Sequence, residues 1–199
     1  GHTDGHLFFW SENQKETRHV LLRDEASTMS FPCSFSPDGR RVAVMTDALT
    51  ATFSVFDTRT VVRQFDLPRS TSELADLIST GTELFSPDSG LIALRRSIRA
   101  ADLLLIDVNE ALFPKILQHP SAVITKSFSA DSRTIATICD DSVIRVWTTQ
   151  DGKLSRRLTG HVGPITSIER WPQPGWFVTA GIDETVRIWC VQAGSEWKT

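Results

Sequence analysis

The chain has 199 residues, 40% of them hydrophobic and 23% charged, with a formal net charge of -3. This is ordinary globular composition, sufficient to bury a core. The slightly acidic balance argues against a general nucleic-acid or anionic-membrane binder, which needs a basic surplus. No apolar run approaches the roughly 18 residues of a membrane span, and residues 1–30 lack the basic start and apolar stretch of a signal peptide.

The three cysteines, Cys33, Cys139 and Cys190, are far apart and odd in number. They suit buried free thiols in a reducing compartment, so an intracellular location, cytoplasmic or nuclear, is expected. Neither Asn13 nor Asn109 lies in a glycosylation sequon. The first residue is not Met, which suits a processed end or a fragment.

In chain order, Gly5 to Trp10 reads as one strand and His19 to Leu22 as the next. Met29 to Phe35 alternates, and Ser36-Pro37-Asp38-Gly39 is a tight turn with Pro at its second position. Arg41 to Thr46, Thr52 to Phe56 and Val61 to Leu67 follow as three more strands of one antiparallel sheet. Pro68 to Asp76 reads as an inserted loop. Ser70 and Glu73 match a capping box there and point to a short helical turn. The strand pattern resumes at Glu83 to Phe85, turns at Ser86-Pro87-Asp88-Ser89, and continues through Leu91–Leu94, Leu103–Ile106 and Phe113–Leu117.

The last two segments repeat each other. His119, Thr137, Asp141 and Trp147 in one have the same spacing as His161, Thr179, Asp183 and Trp189 in the other. His to Trp is 28 positions, Thr to Trp 10 and Asp to Trp 6. The positions Trp10, Phe56, Ile106, Trp147 and Trp189 recur at intervals of 46, 50, 41 and 42 residues. The shorter intervals fit the roughly 40–45 residues of one four-stranded unit of a repeat array.

With Gly160-His161 and Trp189, His119 and Trp147, and Phe35-Ser-Pro-Asp-Gly39, the chain resembles the WD40 repeat family. The resemblance covers almost the whole chain. It is strong for residues 118–191, moderate for 29–57 and weak for 67–117. It implies an all-β fold, a β-propeller of four-stranded antiparallel blades. One propeller segment is expected over residues 1–199, with a half blade at 1–23 and blades at about 24–66, 67–117, 118–157 and 158–199. About four and a half blades fall short of the usual count for the family, so an incomplete, open propeller that is part of a longer chain is expected.

In that family a His, a Ser or Thr, an Asp and a Trp of each blade form a buried hydrogen-bond chain. Carried over by position, the resemblance implies one chain of His119, Thr137, Asp141 and Trp147 and a second of His161, Thr179, Asp183 and Trp189. The residue types suit it, since Trp only donates, Thr and His do both, and Asp accepts. The earlier units depart from the pattern. Thr50 and Phe56 stand at the Asp and Trp places of one, and Arg96, Ala100 and Ile106 at the three later places of the other, so apolar packing is expected to hold those blades.

Catalytic and metal chemistry find little support. His2 and His6 flank Asp4 but lack a third ligand, and a turn before a strand explains them better. There is no G-x-S-x-G elbow and no G-x-x-x-x-G-K phosphate loop. No catalytic residue, cofactor or metal is expected. Arg95, Arg96 and Arg99, and Lys153, Arg156 and Arg157, read as solvated charges. The Trp171-Pro-Gln-Pro-Gly-Trp176 turn is a candidate binding surface, since Trp is enriched at interface hot spots. The resemblance also implies a commonly used face beside the His and Asp turns, which here carries Asp140, Val162, Pro164 and Ile182.

The reading is a non-enzymatic scaffold that binds a protein or peptide on the propeller rim, with no membrane or nucleic-acid partner. The alternative is an accessory or sensor propeller domain of a larger enzyme or signalling ATPase or GTPase. Phe-Ser-Pro-Asp at 35–38 and 85–88 would also suit the propeller of a peptidase.

Overall fold

A computed structural model describes residues 6–11, 14–21, 33–47, 52–57, 61–66, 84–95, 101–110, 114–191 and 195–197. All regular structure in them is strand, built from alternating β-branched and aromatic residues punctuated by Ser, Pro, Asp and Gly turns. The helical turn expected after Ser70 lies outside the described residues, as do His2, Asp4, Thr50, Arg96, Arg99 and Ala100.

Strands β1 (His6–Ser11) and β2 (Gln14–Leu21) pair as an antiparallel hairpin. Strands β3 (Cys33–Phe35), β4 (Arg41–Asp47), β5 (Thr52–Asp57) and β6 (Val61–Asp66) form a four-stranded sheet in sequence order. Strands β7 (Leu91–Arg95), β8 (Asp102–Asp107) and β9 (Lys115–Gln118) form the next, and a bridge from Phe85 to Ile92 marks where its first strand would lie. Strands β10 (Thr125–Phe128), β11 (Thr134–Ile138), β12 (Ile144–Thr148) and β13 (Leu154–Leu158) make a third meander. Strands β14 (Ile165–Arg170), β15 (Trp176–Gly181), β16 (Val186–Cys190) and β17 (Ser195–Trp197) make a fourth. Sequential antiparallel sheets of this kind are the blades of a WD40-type propeller.

Side chains alternate across a strand, so each blade has two faces to cover. In the β10–β13 blade, Phe128, Ile135 and Trp147 pack against Ala93, Leu103, Leu105 and Leu117 of the preceding sheet. From its other face, Ala136, Ile138, Ile144 and Val146 pack against Ile165, Ile168, Phe177, Trp189 and Val191 of the following sheet. The blade is buried on both sides, and β11 and β12 read as nearly continuous buried runs. The outer strand β13 is exposed from Leu154 to Arg157, and Lys153, Arg156 and Arg157 face solvent there.

The first turns of three blades share one construction. Ser36, Ser86 and Ser129 each donate the hydroxyl to an Asp two residues on, at 2.6, 2.6 and 2.7 Å. The same hydroxyl accepts the backbone N–H five residues on. The residue after each Asp, namely Gly39, Ser89 or Ser132, is left-handed, with φ of 68°, 62° and 59°. Glycine adopts that region freely and serine does so at a cost. The serines have a use for the position: Ser89 Oγ accepts the N–H of Asp38 of the preceding blade, and Ser132 Oγ accepts that of Asp88.

Candidate rim site and its supporting network

The alternating turns of an antiparallel blade divide its two ends. Turns between first and second and between third and fourth strands lie at one end. The turn between second and third strands and the loop entering the blade lie at the other. Residues 139–143 and 181–185 are second-to-third turns, and residues 159–164 enter the last blade. Asp140, Val162, Pro164 and Ile182 therefore share one end. Trp171 follows β14, in a first-to-second turn, and lies at the opposite end.

In the last blade four buried residues form one chain of hydrogen bonds. Trp189 Nε1–H donates to Thr179 Oγ1 at 2.8 Å. Thr179 Oγ1 lies 2.8 Å from His161 Nε2 and gives it the hydroxyl proton. His161 Nδ1–H donates to both oxygens of Asp183, at 3.0 and 2.9 Å. Asp183 also accepts the N–H of Val162, the N–H of Thr185 and the Thr185 hydroxyl. Burial pushes the Asp183 carboxyl up, but these donors outweigh it and hold the group well below the usual carboxylate range. Every member has a partner, which is the condition for a buried polar network to stabilise one geometry.

Gly181 makes this closure sterically available. A Cβ there would lie 2.7 Å from His161 Nδ1 and 2.8 Å from Asp183 Oδ1. The sequence reading did not single out Gly181. The signal was its place two residues before Asp183, in a strand end otherwise free of glycine.

The preceding blade keeps three members and loses the fourth. Trp147 Nε1–H donates to Thr137 Oγ1 at 2.9 Å, and Thr137 Oγ1 lies 2.8 Å from His119 Nε2. His119 Nδ1–H then donates to the carbonyl of Ala101 at 3.1 Å, and Asp141 pairs instead with the Arg145 guanidinium. Three differences 42 residues apart explain the rerouting. Cys139 fills the place of Gly181, and its Sγ is turned to the Ser121 carbonyl. Pro120 has no N–H to match that of Val162. Val143 has no hydroxyl to match that of Thr185. The Arg145 hydrogen bond holds the Asp141 carboxyl below its ordinary value, and burial holds the His119 imidazole below its own. The expected chain through Asp141 is therefore replaced by a triad and a separate ion pair.

Above the closed network, three short segments converge. Val162 N–H is tied to Asp183, and Ile182 N–H donates to the Pro164 carbonyl at 3.0 Å. Ser142 of the preceding blade donates its hydroxyl to the Gly163 carbonyl at 2.6 Å. Gly163 has φ of 107°, and the Ile182 side chain lies over it, 3.3 Å from where a Cβ would stand. Val162 is 79% exposed and Ile182 62% exposed. Pro164, Asp140 and Glu184 are also exposed, and Asp140 accepts the Ser121 hydroxyl. At the other end Trp171 is 41% exposed, and Trp176 is half-buried.

Among the described residues no group of three His, Cys, Asp or Glu side chains is placed to hold a metal ion, and no helix is long and apolar enough to cross a membrane. Arg95, read as solvated, donates to the Val123 carbonyl at 2.8 Å.

The family model described as "WD domain, G-beta repeat" matches residues 115–148 and 152–190. An uncharacterized WD repeat-containing protein of Schizosaccharomyces pombe is 30% identical over 80 residues, 40% of this chain and 21% of that protein. The U3 small nucleolar RNA-associated protein 21 homolog of the same yeast is 33% identical over 89 residues, 45% of this chain and 9% of that protein. The F-box-like/WD repeat-containing protein TBL1X of Mus musculus is 34% identical over 73 residues, 36% of this chain and 14% of that protein. The matches thus span between 9% and 21% of the length of these relatives. Residues 115–148 and 152–190 are thus two WD40 repeats, carried on antiparallel blades.

Proposed function

We propose that this chain is a non-enzymatic scaffold that holds a protein or peptide partner on the rim formed by Asp140, Val162, Pro164 and Ile182. The observation that carries this reading is the pairing of exposed apolar side chains with a buried, fully bonded support. Val162 and Ile182 face solvent, yet the backbone beside each is pinned through Asp183, Pro164 and Gly163. A surface ordered before binding loses little entropy on complex formation. Aliphatic side chains on a rigid rim with polar neighbours are the composition of an interface centre. Trp171 belongs to a second, separate surface at the opposite end of the same blade. WD repeat-containing relatives support interaction as the general role, and another relative is a U3 small nucleolar RNA-associated protein homolog. An intracellular site, in nucleus or cytoplasm, is proposed with it.

The test replaces Val162 and Ile182 by Ser in the full-length protein and compares the proteins that co-purify. Both side chains are exposed, so the melting temperature should stay unchanged while at least one partner is lost. Retention of the same set of partners by the variant would contradict the reading.

A further inference from the structure

The seams between blades offer a comparison within the molecule. Where the β3–β6 blade meets the next, Arg41 crosses the gap. Its Nη1 donates to the Ser89 carbonyl at 3.0 Å and its Nη2 to Asn109 Oδ1 at 2.6 Å. Ser89 is the left-handed residue of the neighbour's first turn, and Asn109 lies in its third-to-fourth turn. One internal guanidinium therefore bridges two turns of the adjacent blade.

At the next seam the same frame recurs without the guanidinium. Leu91 stands five residues after Ser86, as Arg41 stands five after Ser36. Ser132 takes the place of Ser89, and Gln150, three residues after Trp147, that of Asn109, three after Ile106. The Thr149 hydroxyl donates to the Ser132 carbonyl at 2.8 Å, and the carbonyl has a second lone pair. Lys115 lies on one wall and donates to the Thr149 carbonyl at 3.3 Å. With Leu91 in place of an arginine, an open cleft of about 510 Å³ remains between the two blades. Four carboxylates line it, those of Asp88, Asp107, Glu110 and Asp131, against the two cations Lys115 and Arg133. The cleft lies at the end of the blades away from Val162 and Ile182.

We propose that this cleft binds the guanidinium of an arginine side chain from a protein partner, seated between Leu91, the Ser132 carbonyl and Gln150 as Arg41 is seated at the neighbouring seam. A planar fork of donors suits one carbonyl and one amide oxygen on adjacent turns, and an ammonium fits them less well. The carboxylate excess favours a cation over a neutral side chain.

The experiment is an amide-resolved NMR titration of the 199-residue chain with N-acetyl-arginine amide, alongside the lysine and citrulline analogues. The arginine compound should give saturable shifts at Leu91, Ser132 and Gln150, citrulline none, and lysine weaker ones. Leu91→Arg should abolish the shifts by filling the cleft from within. Gln150→Leu, at an exposed position away from the core, should weaken them if Leu91→Arg disturbs packing. Absence of saturable shifts in the parent chain, or equal shifts with citrulline or lysine, overturns the proposal. So does undiminished arginine binding in both variants. None of these outcomes bears on the Val162–Ile182 surface, which lies at the other end of the blades.

Discussion

Thr179 is the residue through which the last blade's network passes. Its hydroxyl accepts a hydrogen bond from the Trp189 Nε1–H and bonds to His161 Nε2. Thr179→Val keeps the shape and strands both partners in the interior, so it should lower unfolding stability by about 2–4 kcal/mol in a urea melt. The two aspartates should differ. Asp183→Asn removes the charge and turns one of the two oxygens shared by His161, Val162 and Thr185 into an N–H donor facing them, whereas Asp141→Asn weakens an Arg145 pair and one turn N–H, that of Val143, at a carboxylate 34% exposed. Asp183→Asn should therefore lower the melting temperature clearly more than Asp141→Asn, since part-exposed ion pairs contribute little. Equal effects would show that the rerouting at Asp141 does not weaken that blade. The chemistry of these positions was legible from residue type and spacing. Whether each chain closes was not, because closure depends on Gly181, Cys139, Pro120 and Val143, which lie outside the four-residue pattern.

His119 adds a pH dependence. Burial holds its folded-state pKa below the ordinary value of 6.5, so the unfolded chain binds the proton more readily. The stability it contributes is complete above that value and is lost as pH falls through it toward the lower folded pKa. Stability measured by urea melts should fall as the pH drops below the ordinary imidazole value of 6.5, and His119→Gln should flatten the fall. An unchanged slope in the variant would assign the effect to other groups.

At the scale of elements, most strands could be read from alternation, and the Ser-Pro-Asp turns fixed where they reverse. The first turns were legible because Ser and Asp at that spacing satisfy their own backbone. The strand end at Gly181 is where local reading fell short. Gly181→Ala places a methyl against His161 and Asp183, so it should cost about 1–3 kcal/mol although alanine suits a strand no worse than glycine. Calorimetric melts check this, and a neutral effect would mean that the ring and carboxylate shift without loss.

For the whole molecule, blades are joined by apolar seams and by hydrogen bonds from one first turn to the next. The apolar part was implied by the repeat, because each sheet has two faces to bury. The stitching was not, since it pairs residues such as Asp88 and Ser132, 44 positions apart, through a left-handed serine that resembles any turn residue. Ser132→Ala keeps a comparable backbone cost and removes the hydroxyl, so it should lower stability by about 1 kcal/mol in urea melts. No change would leave the seam to apolar packing alone.

The same linkage between blades reaches the rim, where Ser142 of one blade holds Gly163 of the next above the buried network. The central claim is that the closed chain from Trp189 to Asp183 pins the loop that carries Val162. The most direct test is amide hydrogen exchange at Val162, whose N–H ends on Asp183, in the parent chain and in Gly181→Cys. The account predicts a protected amide in the parent chain and rapid exchange in the variant, with global stability high enough to separate local opening from unfolding. Fast exchange at Val162 in the parent chain, or equal protection in both, would contradict it.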